Sequence, residues 1–176
     1  MIVFRTADRR WPFLWESDLQ PPGRWHGEGE GPAHYLADTP DGAWGETVRQ
    51  LEITHPHDLL GLSRDLWAIE VPDDPASTPQ LPSHVLRGDP NSYAACRDEA
   101  RRLRGQGQTT LTAPSAALVD GGARGEFVRG GQVEADERDG RVLVLFGPRR
   151  DLRGWLCASG GRPTERLLSL VRPLWP

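Results

Sequence analysis

Arg24, Tyr35 and Glu46 stand eleven residues apart and eleven again, and Arg5 precedes them near the start of the chain. An arginine can fork onto a phosphate, an aromatic ring can stack on a flat heterocycle, and a carboxylate can face a developing positive charge. Together these residue types suit cleavage of the bond that joins a flat base to ribose in a dinucleotide. Such a reaction passes through an oxocarbenium-like state, as glycoside hydrolysis does. Each residue also has an ordinary reading. Glu46 lies three residues before Arg49 and four before Gln50, the spacing of an exposed helical ion pair. Arg24 follows Pro21-Pro22-Gly23 and fits a loop, Arg5 fits an edge-guarding charge, and Tyr35 fits a core aromatic.

The elements that must position these side chains follow from the local sequence. Ile2-Val3-Phe4-Arg5 reads as a short strand. Loops carry Arg24, and Ala33 to Ala37 reads as a strand with Tyr35 on the face opposite His34 and Leu36. Thr39, Pro40 and Asp41 are a capping residue, a first-turn proline and a first-turn acid, so they predict a helix start. Trp44, Val48 and Leu51 continue it as an apolar stripe from which Glu46 falls away, towards solvent or a cleft. Gly42 and Gly45 weaken that helix and suit close packing or close approach of a ligand. Further on, strands are expected at Leu66–Val71, Thr109–Thr112, Arg141–Phe146 and Trp155–Ala158, helices at Ser92–Arg104 and Thr164–Val171, and a surface loop from Asp73 to Pro82. The sum is a single α+β domain over residues 1–176.

Phe4-Arg5, Gly23-Arg24-Trp25, Tyr35-Leu36-Ala37 and Ala43 through Glu46 resemble the RES domain family. That family contains toxins of toxin–antitoxin pairs, and its characterised members consume NAD⁺ by hydrolysis, phosphorolysis or transfer of ADP-ribose. The resemblance implies an ADP-ribosyltransferase-like fold, a mixed β-sheet core with a few flanking helices. It also implies that Arg5 and Arg24 bind the NAD⁺ phosphates and nicotinamide ribose, that Tyr35 stacks on nicotinamide and that Glu46 is the catalytic carboxylate. Ala113-Pro114-Ser115 resembles the family's serine segment, which makes Ser115 a supporting residue of the site, although a serine after proline also fits a simple turn. His26 stands where Asn is common, and the second half of the chain follows the family loosely. The implied activity is an NAD⁺ glycohydrolase or phosphorylase; the alternatives are a protein mono-ADP-ribosyltransferase and a non-catalytic NAD⁺-binding module. The resemblance further implies a cognate antitoxin as partner.

Bulk properties fit that reading. A net charge of −4 over 176 residues gives no general attraction for a phosphate backbone, which argues against nucleic acid as partner. Every basic residue is Arg. Gly and Pro are abundant, at 20 and 16, yet seven Trp need packed surroundings, so loops rather than disorder are expected. Cys96 and Cys157 lack metal-ligand spacing and read as buried free thiols of a reducing compartment. His55-Pro56-His57 has no third ligand at a recognisable spacing, so no metal is expected. No stretch approaches the ~20 apolar residues of a membrane span, and charges occupy Met1 to Arg10 where a signal peptide would be apolar. A cytoplasmic protein without membrane attachment is expected, and a homo-oligomer is compatible with the sequence.

Overall fold

The computed structural model describes residues 1–17, 19–73 and 76–175. The fold is α+β. Strands β1 (Ile2–Ala7), β2 (Ala33–Ala37), β3 (Arg64–Glu70), β4 (Thr110–Pro114), β7 (Arg141–Phe146) and β8 (Arg153–Gly161) form one sheet in the order β4-β7-β2-β1-β3-β8. A separate hairpin joins β5 (Glu126–Val128) to β6 (Gln132–Glu134). A mixed sheet is expected from the resemblance, but every pairing between these strands is antiparallel. Parallel contacts among the described residues are confined to isolated bridges such as Ser77–Leu111, which pins the loop after β3 to the β4 edge. Asp74 and Pro75, part of the loop expected from Asp73 to Pro82, lie outside the described residues.

The sheet is nearly two half-sheets. β1 pairs with β3 through six residue pairs and β2 with β7 through five, but β1 and β2 meet only at Phe4–Ala37. The two central strands diverge from that point, and the gap opens a cleft.

Helix α1 (Pro40–Gln50) packs across this junction. Its start is the predicted one: the Thr39 hydroxyl accepts the Gly42 N–H at 3.0 Å, and Pro40 occupies the first turn. Trp44 and Val48 are buried, but Leu51 is the C-terminal cap and half-exposed, so the stripe is one residue shorter than its spacing suggests. Gly45 is there for packing. A β-carbon on it would come within 2.8 Å of a Leu118 methyl, so its absence brings α1 down onto residues 115–118.

On the far side, α2 (Ser83–Leu86) and α3 (Tyr93–Gly105) cover the β4-β7-β2 half-sheet, with Trp25, Cys96, Leu111 and Val144 in a common core. The basic end of α3 is tied into ion pairs: Arg102 to Glu99, and Arg101 and Arg104 to Glu30. The segment expected as a final helix is a 3₁₀ turn, Glu165–Leu170. Cys157 is exposed on the edge strand β8, not buried, whereas Cys96 is fully buried. No helix among the described residues is long and apolar enough to cross a membrane.

Buried His34 makes the fold sensitive to acid. Its Nε2 donates to the Gly147 carbonyl at 3.1 Å, and its Nδ1 has no partner. Burial, with Arg5 nearby, lowers its pKa from 6.5 to about 4. The folded state therefore keeps a neutral imidazole while the unfolded chain takes up a proton. The resulting stability is present above 6.5 and is lost as pH falls towards 4. Chemical denaturation across that interval should show stability falling with acid by up to about 1.4 kcal/mol per pH unit from this one proton. His34→Gln should flatten the slope, leaving the contribution that His26 makes in the same direction and the opposing ones of Glu46 and Asp41, whose pKa values burial raises; an unchanged slope would remove His34 from the explanation.

Candidate active site

A cavity of about 520 Å³ fills the gap between β1 and β2. Arg5, Arg24, Tyr35 and Glu46 all line it, brought together from two strands, a loop and a helix. Ser115 sits just behind the wall, which its neighbours Pro114 and Ala116 form.

Glu46 projects from α1 into partly enclosed surroundings rather than into solvent. Burial raises its carboxyl above the ordinary range, against the pull of Arg49, Arg24, the Ser115 hydroxyl and the Ala117 N–H. Ser115 is organised for this contact. Its Oγ accepts the N–H groups of Ala117 and Leu118, each at 3.2 Å, which leaves the hydroxyl proton to face outward. Its position after β4 is fixed by its own N–H, which donates to the Gly140 carbonyl at 2.8 Å. The sequence suggests an exposed pair between Glu46 and Arg49; the structure has Arg49 buried and donating to the Gly88 and Pro173 carbonyls while its charge favours the Glu46 carboxylate.

Tyr35 is locked at its hydroxyl. The Nε2 of His26 lies 3.0 Å from the Pro21 carbonyl, which can only accept, so Nε2 carries the proton and Nδ1 accepts. The Tyr35 hydroxyl then donates to Nδ1 at 2.8 Å and accepts the Trp25 N–H at 2.9 Å. Burial raises the phenol's pKa, so it stays protonated. His26, which the sequence marks only as a departure from the family, is thus the partner that fixes the tyrosine. Gly23 lies against the same hydroxyl: a β-carbon there would stand 2.6 Å from it.

The two arginines expected to hold phosphates differ. Arg5 is half-buried, and its Nη1, shielded from solvent, has no partner. Burial and the Arg64 charge lower its pKa to about 10, so it is cationic at neutral pH. Arg24 is engaged within the protein: Nη1 donates to the Val85 carbonyl and Ser92 Oγ, both at 3.1 Å, Nη2 donates to the Gly88 carbonyl, and the guanidinium lies 4.5 Å from the Tyr93 ring. It borders the cavity and lends positive charge to Glu46, but most of its donors face α2 and α3.

A family model described as the RES domain matches residues 2–127. The chain belongs to the RES domain family. The match takes in every residue of the cleft wall named above up to Ser115, and β7 and β8 follow it to complete the sheet. Among solved structures, the fold is similar to one described as the crystal structure of the M. tuberculosis MbcT–MbcA toxin–antitoxin complex. The TM-score is 0.63 at 17% identity, with 96% of this chain and 86% of that chain covered. No curated protein matches the chain.

The cleft thus brings together a half-buried arginine with an unpartnered Nη1, a locked aromatic and a carboxylate whose proton is favoured by burial. No cluster of three or more His, Cys, Asp or Glu side chains suited to a metal occurs among the described residues. His55 instead caps the 3₁₀ turn Pro56–Gly61 by accepting the His57 N–H at 3.2 Å.

Proposed function

We propose that this RES-family protein cleaves NAD⁺ at the nicotinamide–ribose bond, as a single catalytic domain spanning residues 1–176. The observation that carries this reading is Glu46, a carboxylate drawn out of water into the same cavity as the unpartnered Arg5 guanidinium. Arg5 holds a phosphate of the dinucleotide and the Tyr35 ring flanks nicotinamide. Glu46 stabilises the positive charge that develops on the ribose as nicotinamide leaves. The group that attacks C1′ of the ribose is water or inorganic phosphate. Arg24 and Ser115 act on Glu46, the first through its charge and the second through its hydroxyl. The similar structure is that of a toxin–antitoxin complex, and we read this chain likewise as a cytoplasmic toxin with a cognate antitoxin.

Adenine-labelled NAD⁺ tests the acceptor. Label should appear in ADP-ribose in phosphate-free buffer or in phosphorylated ADP-ribose when phosphate is present. Label on protein would replace this reading with ADP-ribosyl transfer. Binding without any labelled product would replace it with a silent NAD⁺ module.

A further inference from the structure

We propose that Arg64 is a second anion-holding residue of the cleft and forms with Arg5 a two-guanidinium site for a phosphate group. Arg64 opens β3, the neighbour of β1, and lines the same cavity as Arg5. Among the described residues its side chain makes no hydrogen bond or ion pair, and Arg5 is half-buried with its shielded Nη1 likewise unpartnered. The two charges feel each other across the cavity they both line, and the Arg64 charge adds to burial in lowering Arg5. Like charges are not gathered at a partly buried site without cost unless something neutralises them.

Among the described residues no carboxylate forms an ion pair with either guanidinium, and Asp8, which feels the Arg64 charge, is committed elsewhere. Asp8 is gripped by Arg10 through both carboxylate oxygens, at 3.0 and 2.9 Å. Asp65, next to Arg64, accepts the Gly160 N–H at 2.8 Å and pairs with Arg9 at 3.7 Å. Glu46 faces Arg49, Arg24 and Ser115. The other arginine assigned to phosphate from the sequence, Arg24, donates to carbonyls. Arg64 therefore supplies the free donors that Arg24 does not, and two guanidinium groups suit the several oxygens of one phosphate.

The phosphate has two sources within the proposed function, on which this inference rests: the pyrophosphate of the dinucleotide, or inorganic phosphate as the attacking group. Calorimetric titration of the full chain with inorganic pyrophosphate and with inorganic phosphate separates them and requires no turnover. Arg64→Gln should weaken binding of at least one probe about tenfold, Arg64→Lys should weaken it less, and Arg129→Gln, an exposed arginine on the β5–β6 turn, should stay within about twofold of wild type. An effect confined to pyrophosphate assigns the site to the dinucleotide, and one confined to phosphate assigns it to the attacking group. Wild-type affinity in Arg64→Gln for both probes would overturn the proposal, as would failure of the wild-type protein to bind either. Lost anion binding in Arg64→Gln together with no NAD⁺ cleavage by wild type would keep this site and remove the NAD⁺ reading. Unchanged KM values for NAD⁺ and phosphate in an active Arg64→Gln enzyme would do the reverse.

Discussion

Glu46→Gln should lower nicotinamide release about 10²–10³-fold while leaving the protein folded and no less stable. The two halves of this outcome share one cause. Burial holds the Glu46 carboxyl above its ordinary pKa of 4.5 despite the arginines beside it. The folded protein consequently retains that proton to higher pH than the unfolded chain does. Ionised Glu46 then costs stability progressively as pH rises from 4.5 through the raised folded value. Gln, neutral at every pH, removes that cost and also removes the charge that the oxocarbenium-like state needs. Thermal unfolding at pH 7 should give a Tm equal to or above that of wild type. A fall of several degrees would mean that pairing with Arg49 outweighs burial. The wild-type rate should also rise with pH along a limb displaced upward from 4.5, because only the carboxylate is active.

Gly23→Ala should disable the cleft without touching a charged group. The added methyl would lie 2.6 Å from the Tyr35 hydroxyl and 3.0 Å from His26 Cε1. That hydroxyl cannot simply swing aside, because it is held from one side by the Trp25 N–H and from the other by His26. Relief requires the tyrosine or the Gly23–His26 turn to move, which breaks at least one of those bonds or the Gly23 N–H bond to the His26 carbonyl at 3.1 Å. Overpacking of this kind costs about 1–3 kcal/mol. Denaturant titration should register a loss of that size, and nicotinamide release should fall with a raised KM as the ring leaves its place. Unchanged stability and KM would show that the turn yields freely and that Tyr35 is not fixed by it.

The parts of this site that were legible in the sequence are those dictated locally. Thr39-Pro40-Asp41 fixes where α1 starts because a cap, a first-turn proline and an acid act within four residues of each other. β2 and β7 have the bounds expected from their apolar runs, since both lie inside the sheet where continuous burial leaves little ambiguity. Glu46, Tyr35 and Arg5, which residue type and order single out, line one cavity.

What was hidden depends on partners distant in the chain. The engagement of Arg24 rests on carbonyls more than 60 residues away, at Val85 and Gly88. Arg64 carries no local motif, and only the pairing of β3 with β1 brings it to the cleft. His26 looks like a departure from a pattern until Pro21 and Tyr35 fix its tautomer. The β5–β6 hairpin is exposed throughout and its strands are only three residues long, so Phe127, Val128 and Val133 make no alternation long enough to announce it. Cys157 sits among apolar residues that look like core, but an edge strand leaves them facing outward.

The most direct test of NAD⁺ cleavage at this cleft is nicotinamide release from NAD⁺, with and without phosphate, by the wild-type protein and by Glu46→Gln side by side. Release by wild type that falls at least about 10²-fold in the variant, at equal or higher Tm, is the expected result. Release that persists undiminished in Glu46→Gln, or is absent from folded wild-type protein in both buffers, would contradict it.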